Sequence, residues 1–153
     1  MNSAVRLVFT RRRHPGSLLL RTFLWSAWSH CAIVDGLDII EATANGGVRI
    51  RELGELLRES SEHTFLDLPA TDPRAVIAAA RSQVGKPYDW LGVLGIGLRR
   101  RWQDADRWFC SELIAWAFEA GGSPLFRGQP WRITPRDLYL PIFAERRALR
   151  VAR

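Results

Sequence analysis

The stretch of sequence that decides the fold runs from residue 29 to residue 50. It reads Ser29-His30-Cys31-Ala32-Ile33-Val34-Asp35-Gly36, then Leu37-Asp38-Ile39-Ile40-Glu41-Ala42-Thr43-Ala44-Asn45-Gly46-Gly47, then Val48-Arg49-Ile50. Asp-Gly and Asn-Gly between apolar runs are strong signals of β-hairpins. The pattern therefore predicts an antiparallel meander whose strands are Ser29–Val34, Leu37–Thr43 and Val48–Ile50.

Further strands and short helices are predicted on both sides of this meander. Alternating apolar residues predict strands over Ala4–Thr10 and His63–Leu68. Short helices are predicted over Ser17–Trp25 and Arg51–Arg58. A closing strand is expected at Arg147–Val151, so most strands belong to the first half of the chain.

The second half of the chain is predicted to be mainly helical. Asp72-Pro73 has the signature of a helix start, an N-cap followed by proline at the first helical position. The predicted helices are Ala75–Val84, Trp90–Leu98, Trp108–Ala120 and one within Arg132–Leu140. We therefore expect one α+β domain over residues 1–153, with an antiparallel sheet packed on helices from the second half.

Composition excludes several classes of protein. The 153 residues include two cysteines and three histidines, which rules out a disulfide framework and makes a structural zinc site improbable. The formal net charge is +6, and arginine clusters occur at residues 11–13 and 99–101. Charge runs of this kind are usually solvated loops. They carry no nucleic-acid-binding signature, so nucleic acid is not expected as a partner.

The sequence shows no export signal or membrane span. The apolar stretch before Arg11 is too short for a signal peptide, and residues 17–28 carry Arg21 and are too short to cross a bilayer. We therefore expect a cytoplasmic protein with no transmembrane segment. Peripheral contact with a membrane stays open.

Cys110 is the better candidate for a nucleophile. It lies at the predicted start of the helix over Trp108–Ala120, where free backbone N–H groups and the helix dipole favour a thiolate. The alternative is a buried structural cysteine. Cys31 follows His30 in a strand, and neighbouring side chains of a strand point to opposite faces. If His30 belongs to a site, Cys31 is expected in the core.

His30 is the candidate base among the three histidines. His14 lies in an arginine-rich turn, and nothing near His63 in the sequence suggests an orienting partner. His30 lies in an apolar strand, and Glu41 lies in the next strand, where an unpaired carboxylate would be costly. A hairpin at residues 35–36 can bring His30 and Glu41 onto one face of the sheet. The alternative is that His30 is a core histidine that hydrogen-bonds with the backbone. Together with Cys110 they would supply nucleophile, base and orienting residue.

These residues support a resemblance to a known family. Gly85-Lys86-Pro87-Tyr88-Asp89-Trp90, followed by Phe109-Cys110-Ser111-Glu112-Leu113-Ile114, resembles the Gly-x-Pro-Tyr … Cys-Ser segment of NlpC-type papain-fold cysteine peptidases. The strands with His30 and Glu41 come first, an order similar to that of the circularly permuted, YiiX-like branch, related to lecithin retinol acyltransferase-like enzymes. Ile133-Thr134-Pro135-Arg136-Asp137-Leu138 is also similar to an element of that branch.

The resemblance implies a papain-like, NlpC-type fold and a thiol hydrolase. Cys110 would be the nucleophile, His30 the general base and then acid, and Glu41 the orienting residue. Tyr88 and Ser111 would contact the substrate or its oxyanion, the alternative for Tyr88 being an aromatic packed on the cysteine helix. No metal and no organic cofactor is implied.

The resemblance also implies substrates. The first expectation is a peptidase or amidase that acts on a small peptide or cell-wall fragment through an acyl-enzyme. The second is a hydrolase or acyltransferase that acts on an acyl ester or amide of a lipid, favoured by the apolar segment Trp90–Leu98. A third reading, from another class, is a non-catalytic basic binding module that uses the arginine clusters.

Overall fold

The computed structural model describes residues 3–11, 27–88, 109–125, 133 and 135–139. Three predicted elements, Ser17–Trp25, Trp90–Leu98 and Arg147–Val151, lie outside these residues, as does His14. The described part contains the whole predicted meander and the helix that begins with Cys110, so it includes every residue proposed above for the site.

One antiparallel sheet of five strands forms the first half of the chain. The strands are β1 (Ala4–Arg11), β2 (His30–Asp35), β3 (Asp38–Thr43), β4 (Gly47–Glu52) and β5 (Glu62–Pro69). Their order in the sheet is β4-β3-β2-β1-β5. The meander β2-β3-β4 and the two flanking strands are as predicted. β1 lies between β2 and β5, so the first strand of the chain is the one that joins the meander to β5.

The register of the meander follows from its two turns. Gly36 and Gly47 have φ of 66° and 59°, a left-handed conformation that glycine adopts without strain. The first turn pairs Ile33 with Ile40. The second pairs Glu41 with Arg49. These pairings set which side chains share a face with Glu41.

Within the described residues, the sheet is accompanied by the helices α1 (Leu53–Glu59), α2 (Pro73–Ser82) and α3 (Cys110–Ala120). Residues 135–139 are also helical. The predicted N-cap of α2 is confirmed, because Asp72 Oδ1 accepts from the N–H groups of Arg74 at 3.0 Å and Ala75 at 3.1 Å.

Two helix starts differ from the prediction. Arg51 and Glu52 extend β4, because they pair with Ile39 and Asp38, so α1 begins at Leu53. α3 begins at Cys110 rather than at residue 108, because Phe109 is extended, with φ −88° and ψ 155°. The second shift matters for function, since it makes the cysteine the first residue of the helix.

The sheet separates two apolar clusters. The larger one packs β1 and β2 against α2 and α3, and it contains Phe9, Cys31, Cys110 and Phe118. The smaller one, on the opposite face, includes Leu56 of α1. Cys110 therefore lies where the main core meets the end of a helix. None of the described helices is long and apolar enough to cross a membrane.

Candidate active site

Cys110 is positioned by the first turn of α3. The first hydrogen bond of the helix runs from Leu113 N–H to the carbonyl of Phe109, at 3.0 Å. The N–H groups of residues 110–112 precede this bond and have no acceptor within the helix. These N–H groups and the positive end of the helix dipole both favour a negative charge on the sulfur of Cys110. The side chain is nearly enclosed, with 2% of the residue exposed.

His30 and Glu41 form a close pair on neighbouring strands. His30 Nε2 lies 2.7 Å from Glu41 Oε2, and Glu41 is 1% exposed. The hairpin register explains the pair, since it places the two side chains diagonally on one face of the sheet. Because Nε2 is engaged by the carboxylate, Nδ1 is the ring nitrogen available to a second partner.

Two arginines of β4 surround the same carboxylate. Glu41 Oε1 accepts from Arg49 Nε at 3.0 Å and forms an ion pair with Arg51 Nε at 2.9 Å. Arg51 also makes a bidentate contact with Glu59 of α1, at 3.1 and 3.0 Å. Charge-assisted bonds of this kind fix both the ionisation and the orientation of Glu41.

The electrostatics of the site favour a thiolate next to an imidazolium. Burial opposes the charged form of Cys110, but hydrogen bonds from Cys31 and His30 outweigh it and lower the pKa of the thiol to about 5. Burial likewise opposes the charged form of His30, but hydrogen bonds with Cys110 and Glu41 raise its pKa to about 9. Glu41 is also desolvated, yet His30 and the arginines lower its pKa to about 2. Between pH 5 and pH 9 all three groups are charged.

Cys31 is buried in the main core, as expected. It also affects the nucleophile, because Cys31 and His30 both lower the pKa of the Cys110 thiol. Both residues belong to the start of β2, so this end of the strand faces the first turn of α3.

Ser111 and Tyr88 lie beside Cys110 with different contacts. The Ser111 hydroxyl is fully buried and donates to the carbonyl of Ile133, so its side chain ties that residue to α3. The Tyr88 ring packs edge-on against Phe109, with ring centroids 6.1 Å apart. This contact is the packing alternative considered for Tyr88. It also brings Tyr88 next to the residue that precedes the nucleophile.

The segment that carries Tyr88 is attached to the edge of the sheet. Val48 N–H donates to the Lys86 carbonyl and Gly85 N–H donates to the Val48 carbonyl, both at 2.8 Å. A cavity of about 470 Å³ lies between this segment and the turn from β3 to β4. Its lining residues are Ala44, Asn45, Gly46, Gly47, Gly85, Lys86, Pro87 and Tyr88.

His63 lies elsewhere. It is on the edge strand β5, where its ring contacts Phe65 at a centroid distance of 5.8 Å. The structure therefore brings together Cys110, His30 and Glu41 and leaves His63 apart.

A thiol at a helix N-terminus, a histidine on a strand of the sheet and a carboxylate in contact with that histidine form an arrangement typical of papain-like cysteine hydrolases. A family model described as permuted papain-like amidase enzyme, YaeF/YiiX, C92 family, matches residues 6–125. The chain belongs to this family. The expectations of a permuted papain-like α+β fold and of a cysteine peptidase or amidase are thereby confirmed.

Among solved structures, the chain is similar to the metalloprotein YiiX from Escherichia coli O157:H7. The two share 20% of their residues, with a TM-score of 0.59 over 78% of this chain and 67% of that chain. At this identity the likeness concerns the fold alone. No curated protein matches the sequence.

Arg49 and Arg51 were not singled out in the sequence analysis. The signal for them is the second hairpin: pairing across residues 44–46 places Glu41 opposite Arg49. Arg49 and Arg51 alternate with Val48 and Ile50, so the two arginines share a face. When a buried acidic residue is followed by such a hairpin, its ion-pair partners can be predicted. They are the basic residues directly opposite and diagonal to it on the next strand.

Proposed function

We propose that this cysteine hydrolase cleaves an amide bond of a small peptide with a Cys110–His30–Glu41 triad. The observation that supports it most directly is the mutual arrangement of these three side chains. His30 helps to lower the pKa of the Cys110 thiol to about 5, and Glu41 Oε2 lies 2.7 Å from Nε2 of the same ring. Each residue has the chemical type that its role requires.

Acylation begins with the thiolate of Cys110. Its sulfur attacks the carbonyl carbon of the scissile amide and forms a tetrahedral intermediate with a negative oxygen. The intermediate collapses when the C–N bond breaks and the His30 imidazolium gives its proton to the leaving amine. The products of this step are a free amine and a thioester on Cys110. Glu41 keeps the ring oriented while its charge changes.

Deacylation uses the same histidine as a base. Neutral His30 takes a proton from water as the water oxygen attacks the thioester carbonyl. The C–S bond then breaks, which releases a carboxylic acid and regenerates the thiolate–imidazolium pair. No group outside the protein and water enters either step.

The negative oxygen of the intermediate needs donors close to Cys110. The N–H groups at the N-terminus of α3, including that of Ser111, supply donors that the helix itself does not use. We assign the Tyr88 hydroxyl as a further donor, because its ring is held against Phe109. The Ser111 hydroxyl has no such role, since it is buried against Ile133.

The substrate proposed is a short peptide, such as a fragment of the cell wall. The family is described as one of amidases, which supports an amide as the scissile bond. The cavity of about 470 Å³ that Tyr88 lines is within the size range of pockets for small ligands. A lipid acyl ester is the alternative, but the apolar segment that favoured it lies outside the described residues.

YiiX is described as a metalloprotein. In this chain, no group of three or more His, Cys, Asp or Glu side chains is arranged to hold a metal ion within the described residues. The carboxylate of Glu41 is instead engaged by His30, Arg49 and Arg51. The described side chains do not fit a metal centre, so we derive no step through one.

A thiol-reactive probe tests the proposal. Iodoacetamide is applied to the wild type and to Cys110→Ser, Cys31→Ser and His30→Ala from pH 4 to pH 10, and the labelled residue is identified by mass spectrometry. Rapid labelling of Cys110 at pH 6, strongly reduced in His30→Ala, is the expected result. Labelling of Cys31 instead, or a Cys110 no faster than an ordinary thiol at neutral pH, would overturn the assignment.

Hydrolysis assays then separate the substrate classes. Dipeptide and muropeptide amides are compared with acyl esters, with Cys110→Ser as the inactive control. Release of a free amine only from the wild type is expected. Turnover restricted to esters would contradict the amide proposal while leaving the triad in place.

A further inference from the structure

The cavity beside Tyr88 has a cation in its wall. Its volume is about 470 Å³, and it is formed by the turn from β3 to β4 on one side and by residues 85–88 on the other. Lys86 lines it, and no acidic residue of the described part of the chain does so. A ligand in this cavity therefore meets a positive charge without a competing carboxylate in the wall.

Three glycines keep side chains out of much of the cavity wall. They are Gly46, Gly47 and Gly85. A Cβ at Gly47 would collide with the Lys86 carbonyl, so the two sides of the cavity meet at this point. The backbone N–H groups of Gly46, Gly85 and Lys86 already donate to other backbone carbonyls. Recognition of a polar ligand therefore falls to the side chains at the cavity.

Arg49 places a second cation against the same wall. Its Nε and Nη2 atoms hold Glu41 Oε1, at 3.0 and 2.9 Å, whereas Nη1 forms no hydrogen bond with the described residues. Nη1 lies 3.3 Å from the position that a Cβ of Gly46 would occupy, so the absence of a side chain there leaves room for the guanidinium. The Arg49 side chain is 43% exposed. The N–H groups of Nη1 can therefore bind an anion in the cavity.

We propose that this cavity binds a carboxylate of the peptide substrate, held between Lys86 and Arg49 Nη1. The proposal deepens the function given above and rests on it, because it names the chemistry of the peptide that the triad cleaves. Ammonium and guanidinium groups both form charge-assisted hydrogen bonds with carboxylates, which are stronger than neutral ones. The carboxylate is either the C-terminus of the peptide or an acidic side chain.

Tyr88 connects this cavity with the nucleophile. Its ring lines the cavity and packs edge-on against Phe109, at a centroid distance of 6.1 Å, and Phe109 directly precedes Cys110. A carboxylate bound in the cavity thus belongs to a part of the substrate next to the scissile amide. Lys86 takes part in no bond change, so it is a specificity-determining residue rather than a catalytic one.

The test is a calorimetric titration of three short peptides into Cys110→Ser, in which the thiol is absent. The first is an N-acetylated alanine tripeptide with a free C-terminal carboxylate, and the second is its C-terminal amide. The third is the amide with an acidic side chain in place of one methyl group. The second and third peptides thus differ only in the source of a carboxylate.

Four variants are compared in this background. Lys86→Gln and Arg49→Gln each remove one proposed cation, and Lys86→Arg keeps the charge. Arg74→Gln is the matched control, because Arg74 is an exposed basic residue at the N-terminal end of α2, whereas residues 83–88 follow the other end. Circular dichroism identifies which variants are folded.

At least one of the two carboxylate peptides is expected to bind about 10-fold more tightly than the neutral amide, and it identifies the source of the carboxylate. The preference is lost in Lys86→Gln and in Arg49→Gln, persists in Lys86→Arg and in Arg74→Gln, and weakens as salt is added. Equal or absent binding of the charged and neutral peptides would overturn the proposal. So would a folded Lys86→Gln or Arg49→Gln that keeps the preference, or an Arg74→Gln that loses it.

Failure of this proposal differs from failure of the proposed function. If wild-type Cys110 is unreactive toward iodoacetamide, the triad fails, while the peptide preference is measured without the thiol and stands. If the wild type hydrolyses charged and neutral peptides with equal kcat/KM, the carboxylate site fails and the triad stands.

Discussion

Nε2 of His30 lies 2.7 Å from Oε2 of Glu41, while the other oxygen of the same carboxylate is held by Arg49 and Arg51. The imidazole is therefore oriented by a group that is itself fixed from the opposite side. Glu41 stays ionised over the working range of pH, because its pKa is lowered to about 2. A constant negative charge next to the ring stabilises the imidazolium.

The first prediction concerns the pH profile of activity. The thiolate requires a pH above the pKa of Cys110, about 5, and the imidazolium requires a pH below that of His30, about 9. We expect kcat/KM to rise through about pH 5 and fall through about pH 9. These two values belong to the coupled pair rather than to either residue alone. A profile that rises only near pH 9, as for an ordinary thiol, would contradict the ion pair.

The second prediction concerns the charge of Glu41. Glu41→Gln keeps an acceptor for the ring but removes the negative charge, so the pKa of His30 falls and the alkaline limb moves below pH 9. We expect kcat to fall by about 10²-fold or more. Glu59→Gln is the matched control, because Glu59 binds Arg51 and not the imidazole. Equal losses in the two variants would indicate a general effect on the arginines rather than on the ring.

The pair of His30 and Glu41 was accessible from the sequence because its cause is local. Asp35-Gly36 fixes the hairpin, and a fixed hairpin determines which side chains are diagonal neighbours. The contact of Cys31 with Cys110 was not accessible. It depends on where the N-terminal end of α3 meets β2. These two segments are far apart in the sequence, and no local turn signal predicts that they meet.

The order of the strands shows the same contrast between local pairings, which the sequence predicts, and distant pairings, which it does not. Sequential pairings such as β2 with β3 follow from turn residues at 35–36. The pairing of β1 with β5 joins Val8 to Phe65, and no local pattern specifies it. Burial places β1 inside the sheet, between β2 and β5: Leu7, Val8 and Phe9 are all fully enclosed, which requires cover on both faces.

The third prediction concerns stability in acid. The pKa of Glu41 falls from 4.5 to about 2 on folding, so its ionisation stabilises the protein fully above pH 4.5, and this contribution is lost as pH falls toward 2. The difference in unfolding free energy between wild type and Glu41→Gln should therefore shrink by about 3 kcal/mol over that range. Chemical denaturation at a series of pH values measures it.

Asp67→Asn is the control for this measurement. Asp67 also has a lowered pKa, through its hydrogen bond with Arg6, but the side chains are 49% and 58% exposed. Solvent screens such a pair, so its removal should change stability by less than about 1 kcal/mol at any pH. A loss of stability as large as that of Glu41→Gln would mean that burial of the carboxylate is not the reason for the large contribution of Glu41 to the free energy of unfolding.

The fourth prediction concerns the Tyr88 hydroxyl. Tyr88→Phe keeps the ring against Phe109, at a centroid distance of 6.1 Å in the wild type, and removes only the oxygen. If the hydroxyl binds the oxyanion, kcat should fall by about 10-fold or more with little change in KM or melting temperature. An unchanged kcat would leave Tyr88 with its packing role alone.

The fifth prediction concerns the close approach of Gly47 to the segment that carries Tyr88. A Cβ at Gly47 would collide with the Lys86 carbonyl, and the residue has φ +59°. Gly36 has a similar φ of +66°, but a Cβ there meets nothing within 4 Å. Gly36→Ala therefore carries only the backbone strain, about 1–2 kcal/mol, whereas Gly47→Ala must also displace residues 85–88. We expect both variants to melt at lower temperature, and only Gly47→Ala to lose activity under conditions where both remain folded. Equal activity in the two would show that the attachment of Gly85–Tyr88 to β4 does not position the active site.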